Sequence, residues 1–416
     1  MTARHASRLV IVGGGLAGLG AAVEAGRAGL ETCVVEQRTL LRGPRRVLAA
    51  FAASGAEAWL ETAVWGIWGH DLALVGPRAK SSVVAFERLI IATGAFERPA
   101  AFPGWTLPGV MTLSGALHLL DQGFRPGQRL LVAGYGSVAA TAVLELERRG
   151  MGPVAVLDAT ARSGRLPVRA EGTDRLQRVV TSRIDAEWRT RAGTEQSFDV
   201  DTLVLAFGSQ PEDRLARLAG CEYAGSPFIN PRTARDEWMR TTTPGVLVAG
   251  DAGGIVGPEA SIEQGRLAGL AAALDSGCLS LDEAGQRGHS IQRRLAQFSR
   301  RQPAPEPPRN GLFAHADPDT VICRCEDVTA GQLAERLFDG TIDPASVIAE
   351  TRAGMGLCQG RNCASLVAAI VARHSGVPLE RIPPITPRPP IVPVPLGALA
   401  ERPPVFPPLA ELTARM

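Results

Sequence analysis

Five short apolar runs that each close on a glycine set the rhythm of the first two thirds of the chain: Leu9-Val10-Ile11-Val12, Leu89-Ile90-Ile91-Ala92-Thr93, Leu130-Leu131-Val132-Ala133, Leu203-Val204-Leu205-Ala206-Phe207 and Val246-Leu247-Val248-Ala249. Short, β-branched runs without alternating polar positions predict parallel strands buried on both faces. After the first run, small residues from Leu16 to Ala28 predict a helix stopped by Gly29, and Thr32-Cys33-Val34-Val35-Glu36 predicts the next strand. That is one βαβ unit. A second copy starts at Arg129, turns at Gly134-Tyr135-Gly136, continues as a helix over about Ala139 to Arg149 and ends in the strand Val154 to Asp158. Two copies predict an α/β protein with two nucleotide-binding domains. Glu263 to Leu274 reads as a later helix.

The pattern then changes. Gln302 to Arg309 carries four prolines in eight residues and reads as a linker. A compact cysteine-bearing segment follows, and beyond Val377 the chain is proline-rich to Pro408. Prolines lack a backbone donor and favour extended chain. This tail therefore builds no core of its own; it is an arm on the body or on a partner, or it is disordered.

At 416 residues the chain is too long for one core and suits two or three domains. A net charge of +2 gives no field that would attract nucleic acid or an anionic membrane. The short polar stretch Met1 to Arg8 does not read as a secretory signal, and no apolar stretch reaches the roughly 18 residues of a membrane span. The expected location is cytoplasmic, where spaced cysteines mean metal or redox chemistry more often than disulfides. Of the seven cysteines, Cys33, Cys221 and Cys278 stand alone and read as packing residues.

Gly13-Gly14-Gly15-Leu16-Ala17-Gly18 fits G-x-G-x-x-G: Gly13 for the tight turn, Gly15 for close approach to a pyrophosphate, Gly18 for helix–strand packing. The helix beginning at Leu16 and Ala17 offers unpaired N–H groups and a positive dipole end. Glu36 stands 23 positions after Gly13, where an acid meets a ribose hydroxyl. In two-dinucleotide flavoproteins an Asp ending a late strand binds the ribityl–pyrophosphate region of FAD. Gly250-Asp251 sits at such a place, and Thr93-Gly94 stands where the chain leaves the first domain. These residues assign FAD to the first site; Asp251 serving as a helix cap is the alternative. Gly134-Tyr135-Gly136-Ser137-Val138-Ala139, with Asp158, forms a second site suited to NAD or another adenine nucleotide, because an acid there would repel a 2′-phosphate.

Cys323-Arg324-Cys325 and Cys358-Gln359-Gly360-Arg361-Asn362-Cys363 give C-x-C and C-x(4)-C pairs. Thiolates hold Fe–S clusters and zinc alike. Neither pair has the C-x(2)-C spacing usual in zinc ribbons, which favours a [2Fe-2S] cluster. Arg324 and Arg361 would offset thiolate charge.

The stretches 323–329 (Cys-Arg-Cys-Glu-Asp-Val-Thr) and 351–363 resemble the [2Fe-2S] domain of the bacterioferritin-associated ferredoxin type. Phe102-Pro103-Gly104-Trp105-Thr106-Leu107-Pro108-Gly109-Val110 resembles a signature of the α subunits of hetero-oligomeric amino-acid dehydrogenases, a group that includes subunits of opine oxidase, hydrogen cyanide synthase, and D-hydroxyproline and dye-linked L-proline dehydrogenases. The resemblance implies a pyridine-nucleotide–disulfide reductase-like, two-dinucleotide-domain flavoprotein with a small helical [2Fe-2S] domain. It implies FAD and the cluster on this chain, C–N oxidation on a flavoprotein β subunit, and a small third subunit as a further partner. The expected layout is an FAD-binding domain over 1–105 and 223–300, an inserted NAD-type domain over 106–222, a linker over 301–319, the cluster domain over 320–376 and the tail over 377–416. The sequence departs from the family in its short stretches after Glu36 and after Asp158.

No acid–base pair and no pattern among the six histidines marks a substrate-oxidising site. The expected role is therefore electron transfer within a heteromeric dehydrogenase. Two alternatives stand beside it: a self-contained NADH-dependent reductase of a ferredoxin-like acceptor, and an assembly subunit without flavin. Trp105 either stacks near a cofactor or packs.

Overall fold

The computed structural model describes residues 3–162, 164–301, 308–337 and 342–400. Most of the proline run read as a linker, at 302–307, and the end of the tail, 401–416, lie outside the described residues.

The first apolar run becomes the strand Ala3–Val12, whose Leu9, Val10, Ile11 and Val12 are buried on both sides. It pairs in parallel with Thr32–Val35 on one side and with Ser81–Ile91 on the other. The far edge of Ser81–Ile91 is shared. Its first half pairs antiparallel with Asp71–Val75, and its last residues, Leu89 to Ile91, pair in parallel with Val246–Val248. With Glu57–Trp59 and Ala63–Trp68 these make a seven-stranded sheet. The return of Val246–Val248 to this sheet makes everything between Ile91 and Val246 an excursion from one unit.

One face is covered by the helices Leu16–Arg27 and Pro258–Asp275. They cross closely because Gly265 and Gly269 carry no side chain where the backbone oxygens of Ala17 and Ala21 approach. The second of these helices starts five residues before the expected Glu263, with Pro258 in its first turn and Glu259 at its positive end. A 21-residue helix, Leu281–Arg301, has no counterpart among the sequence-based expectations. Its buried Ala284, Gly288 and Ile291 fall at i, i+4 and i+7, one face of a helix. Arg287 pairs with Glu24 at 2.6 Å and Arg294 with Glu263 at 3.1 Å.

The excursion holds a four-stranded parallel sheet in the order Ala155–Asp158, Leu130–Gly134, Thr202–Ala206, Val110–Thr112. A three-stranded antiparallel sheet, Arg165–Glu171, Arg178–Arg183 and Gln196–Phe198, lies alongside. The outward and return crossovers pair with one another as Ala95–Glu97 and Ser209–Pro211. The helix expected from Ala139 begins at Gly136, because Asp158 accepts the Gly136 N–H at 2.9 Å.

The cysteine-bearing segment has two short strands, Val321–Cys323 and Val328–Thr329, and helices at Ala330–Glu335, Pro344–Thr351 and Ala364–Ser375. Thr329 and Gln332 form a capping box, and Asp343 caps the next helix through Ala345 N. Its interior is continuous with that of the second nucleotide-type unit: Trp105 and Phe207 share one buried cluster with Leu312, Ile322, Leu366 and Ile370. The described part of the tail is an arm on the body. Ile391 N donates to Trp65 O at 2.9 Å, and Ala398 packs with Trp65, Ala73 and Val83. Of the readings open to the tail, the arm is the one found as far as residue 400.

Candidate functional site

The first glycine loop leaves the strand Ala3–Val12 with Gly13 at φ +109°, a conformation that a side chain opposes. A Cβ at Gly13 would run into Ala92 O, and one at Gly18 into Gly13 O. Gly15 differs: a Cβ there would meet nothing within 4 Å, so the space in front of this loop is open. Glu36 is buried and spans the loop, its Oε2 accepting Gly14 N at 2.7 Å and its Oε1 accepting Arg38 N at 2.9 Å. The shortened stretch after Glu36 folds back, bringing Leu41 over Gly14.

In front of Gly13 and Gly15 lies a cavity of about 230 Å³, whose wall includes Glu36, Arg38, Thr93, Gly94 and Glu212. Thr93 Oγ1 donates to Glu212 O at 2.6 Å, and Glu212 N donates to Gly94 O at 2.9 Å, so the crossover at Thr93-Gly94 is tied to the return crossover. Leu16, Ala17, Gly18, Gly250 and Asp251 are not part of this wall. Ala17 packs against Gly250 and Gly265. Gly250 N donates to Gln264 Oε1 at 3.0 Å. Asp251 Oδ1 accepts Val256 N at 2.7 Å and Gly257 N at 3.0 Å, a turn-closing role just before the helix Pro258–Asp275. Beneath it, burial pulls the Arg235 guanidinium down to about 10, against the opposing charge of Asp251.

At the second loop, Asp158 Oδ1 accepts Gly136 N, Thr160 N and Thr160 Oγ1 at 2.9, 2.9 and 2.7 Å. Burial opposes its charge, but those donors hold the carboxyl below its ordinary range. Gly134 backs onto Ala206, while Tyr135 turns inward against Trp188, ring centres 5.4 Å apart. The adjacent cavity, about 390 Å³, is bordered by Tyr135, Thr160, Arg162, Asp185, Trp188 and Arg309.

The structure brings the four clustered cysteines together as two facing pairs. Cys363 donates to the Cys323 sulfur, which holds Cys323 down to about 5 and raises Cys363. Cys325 faces Cys358, and partial desolvation together with the neighbouring Cys358 thiol raises its pKa. Gly354 N points at Cys323 Sγ, 3.4 Å away. Cys323 and Cys363 are buried, Cys358 is half-buried and Cys325 is exposed. Among the described residues no three His, Cys, Asp or Glu side chains close on one metal-ion position. All seven cysteines are free. Cys33 is pushed up to about 12 by burial and by Glu57 and Glu31, which leaves it an inert packing residue.

Two arginines join the cysteines to the first cavity. Arg361, between Cys358 and Cys363, borders the cavity and puts its Nε 2.5 Å from Glu212 Oε2. Arg214 grips Glu212 at 2.7 and 2.8 Å, and its Nη1 lies 3.5 Å from the carbonyl oxygens of Cys358 and Gln359. Burial opposes the charge of Glu212, and the two guanidiniums override it, holding the carboxyl below its ordinary range. Neither Glu212 nor Arg214 carries a sequence signal; they follow the return crossover, and only its pairing brings them here. Trp105 packs rather than lining either cavity, donating from Nε1 to Val321 O at 2.7 Å under the Arg324 guanidinium, 5.3 Å from the ring centre.

Two Rossmann-type units in an inserted arrangement, each with a glycine loop facing a cavity, define a two-dinucleotide-fold oxidoreductase. Residues 7–277 match the family model of the pyridine nucleotide-disulphide oxidoreductases, more than half of the chain, and this protein belongs to that family. Residues 319–402 match the sarcosine oxidase A3 domain. Hydrogen cyanide synthase subunit HcnB of Pseudomonas protegens is 30% identical, over 94% of this chain and 96% of its own length. An opine oxidase subunit of Agrobacterium tumefaciens (strain Ach5) is 30% identical over 98% of this chain and 94% of its own length. The crystal structure of L-proline dehydrogenase from P. horikoshii superposes with a TM-score of 0.77 at 25% identity, covering 96% of this chain and 80% of that one. No helix among the described residues is long and apolar enough to cross a membrane.

Proposed function

We propose that this chain is the electron-transfer subunit of a heteromeric amino-acid or opine dehydrogenase, with FAD at Gly13, Gly15 and Glu36, a [2Fe-2S] cluster on Cys323, Cys325, Cys358 and Cys363, and C–N oxidation on a partner flavoprotein subunit. The observation that carries it is the place of the thiols: two facing pairs beside a dinucleotide cavity, joined to its wall by Arg361 and Arg214. Two pairs suit a dinuclear cluster, one pair per iron, better than a single tetrahedral ion. The glycine loop suits a dinucleotide because the room in front of Gly15 is open while Gly13 and Gly18 are closed. When bound, FAD and the cluster would supply the conversion of a two-electron oxidation into single-electron transfers.

The residues of the chain do the holding. Gly15 gives a pyrophosphate its approach to the helix N-terminus. The Glu36 carboxylate, already anchored by two amides, presents its remaining lone pairs to a ribose hydroxyl. Gly354 N directs a hydrogen bond at Cys323 sulfur, which lowers the cost of thiolate charge. The second cavity, with Asp158 fixed by three donors, keeps the NADH-dependent reductase as a second reading.

The test is an absorption spectrum of the anaerobically purified chain with flavin and iron measured on the same sample, followed by addition of NADH. Flavin absorption overlaid by broad iron–sulfur bands, unbleached by NADH, supports the electron-transfer role. Bleaching by NADH favours the reductase. Iron–sulfur absorption without flavin refutes both and leaves an assembly role. Cys358→Ser is expected to lose iron; unchanged iron content sinks the ligand assignment.

A further inference from the structure

The loop that carries Cys358 and Cys363 is also a wall of the first dinucleotide cavity. Arg361 borders the cavity, and Arg214, Arg38 and the open Gly15 border it too. At its Cys358 end the loop is tied to the preceding turn: Gln359, in a left-handed backbone conformation at φ +51°, donates from Nε2 to the carbonyls of Met355 and Gly356, both at 3.0 Å. Glu212 accepts from Arg214 and Arg361 together, so one carboxylate serves two guanidiniums and this part of the wall keeps a net positive charge. A wall of that sign, facing a glycine loop, recognises the pyrophosphate of a dinucleotide.

From this we propose that Arg361 is a dinucleotide-binding residue delivered by the cysteine loop, so that loading the four thiols and filling the first cavity strengthen one another. The inference rests on the FAD and [2Fe-2S] assignments above. Its physical basis is ordering. Arg361 lies two residues before Cys363 and three after Cys358, and irons bound at both cysteines pin the loop at both ends. With the thiols unligated, the pairing with Glu212 is the chief tether of the guanidinium, and the further ordering of the loop at the moment of binding is drawn from the affinity. Linkage then requires the reverse effect: a bound dinucleotide holds the loop and slows loss of the cluster.

The experiment is a binding cycle with FAD as the probe, measured by flavin fluorescence and calorimetry on the full chain. It compares the iron-loaded and chelator-stripped states of the wild type and of Arg361→Gln. Expected are a roughly tenfold weaker FAD affinity on stripping the wild type, a similar loss in iron-loaded Arg361→Gln, and no further loss on stripping that variant. Saturating FAD should also slow iron release to a colorimetric chelator in the wild type and not in the variant. Arg361→Lys keeps the charge but not the planar fork, and an intermediate affinity is expected; it also stands in should Arg361→Gln fold poorly. FAD affinity that ignores both iron content and position 361, yet is abolished by Gly15→Val, overturns the coupling and leaves the cofactor assignment standing. A wild-type chain that binds no FAD in either state overturns both.

Discussion

Arg361 and Glu212 stand 149 residues apart in sequence, yet they form an ion pair of 2.5 Å at the junction of the cysteine segment and the dinucleotide cavity. The carboxylate is almost inaccessible and the guanidinium about one third exposed. A pair so placed differs from a surface ion pair. Removing the acid strands two guanidiniums, and the Arg214 side chain is only 13% exposed. Glu212→Ala is therefore expected to lower the unfolding free energy by roughly 3 kcal/mol. Chemical denaturation at unchanged m-value would read it. A loss below about 1 kcal/mol would place the pair with solvent-screened ones.

Gly15 and Gly18 of the first loop make opposite predictions. Gly15 has extended backbone at φ −85°, and a Cβ there meets no atom of the chain. Gly15→Val should cost less than about 1 kcal/mol of stability while abolishing FAD binding. Gly18 lies inside a helix, where Ala normally stabilises by about 1 kcal/mol. Here its Cβ would enter Gly13 O, so Gly18→Ala should instead destabilise by roughly 2 kcal/mol or more. Parallel thermal melts and flavin titrations separate the two. A Gly15→Val protein that keeps normal FAD affinity would move the cofactor away from this loop.

The legibility of the sequence follows the range of the interactions. Strand, glycine loop, helix and acid are local, so Gly13, Gly15 and Glu36 could be placed around one loop from spacing alone; spacing likewise marks Cys323 with Cys325 and Cys358 with Cys363, but the facing partners, Cys323 with Cys363 and Cys325 with Cys358, come from the fold. Gly250 and Asp251 matched a pattern, but their hydrogen bonds go to Gln264, Val256 and Gly257 within the chain. Glu212 and Arg214 were invisible because their positions depend on the pairing of Ala95–Glu97 with Ser209–Pro211, two segments with no strand signature. The helix Leu281–Arg301 escapes for another reason. Its buried stripe is built from Ala284, Gly288 and Ile291, and two of those three are too small to register as apolar periodicity.

Trp105 gives the Pro-Gly-Trp signature a structural meaning. It is buried, donates to Val321 O and lies under Arg324, so it fastens the second nucleotide-type unit to the strand that ends at Cys323. Trp105→Phe keeps most of the buried ring and leaves one carbonyl unpaired, an expected cost of about 1–2 kcal/mol. Trp105→Ala opens a cavity as well and should cost roughly 3–5 kcal/mol. Equal losses from both variants, by urea denaturation, would show that the hydrogen bond rather than the packing dominates.

Glu24 supplies the pH dependence. It is buried in the helix Leu16–Arg27 and accepts from Arg266 at 2.8 Å and Arg287 at 2.6 Å, tying both later helices to the first. Burial alone would raise its pKa, but the two arginines outweigh burial and hold it below the ordinary value. A carboxyl whose folded pKa lies below its unfolded value stabilises fully above the unfolded pKa, about 4.3, and loses that contribution as pH falls through the folded pKa. Glu24→Gln should therefore cost roughly 2 kcal/mol at pH 7, because Arg266 and Arg287 stay partly solvated after the loss. The gap between wild type and variant should narrow steadily below about pH 4.3 as the wild-type carboxyl takes up its proton. The difference in urea midpoint, measured from pH 7 down to the lowest pH at which both proteins fold, is the readout. A gap that stays constant through that range would mean that charge on Glu24 contributes nothing to holding the three helices together.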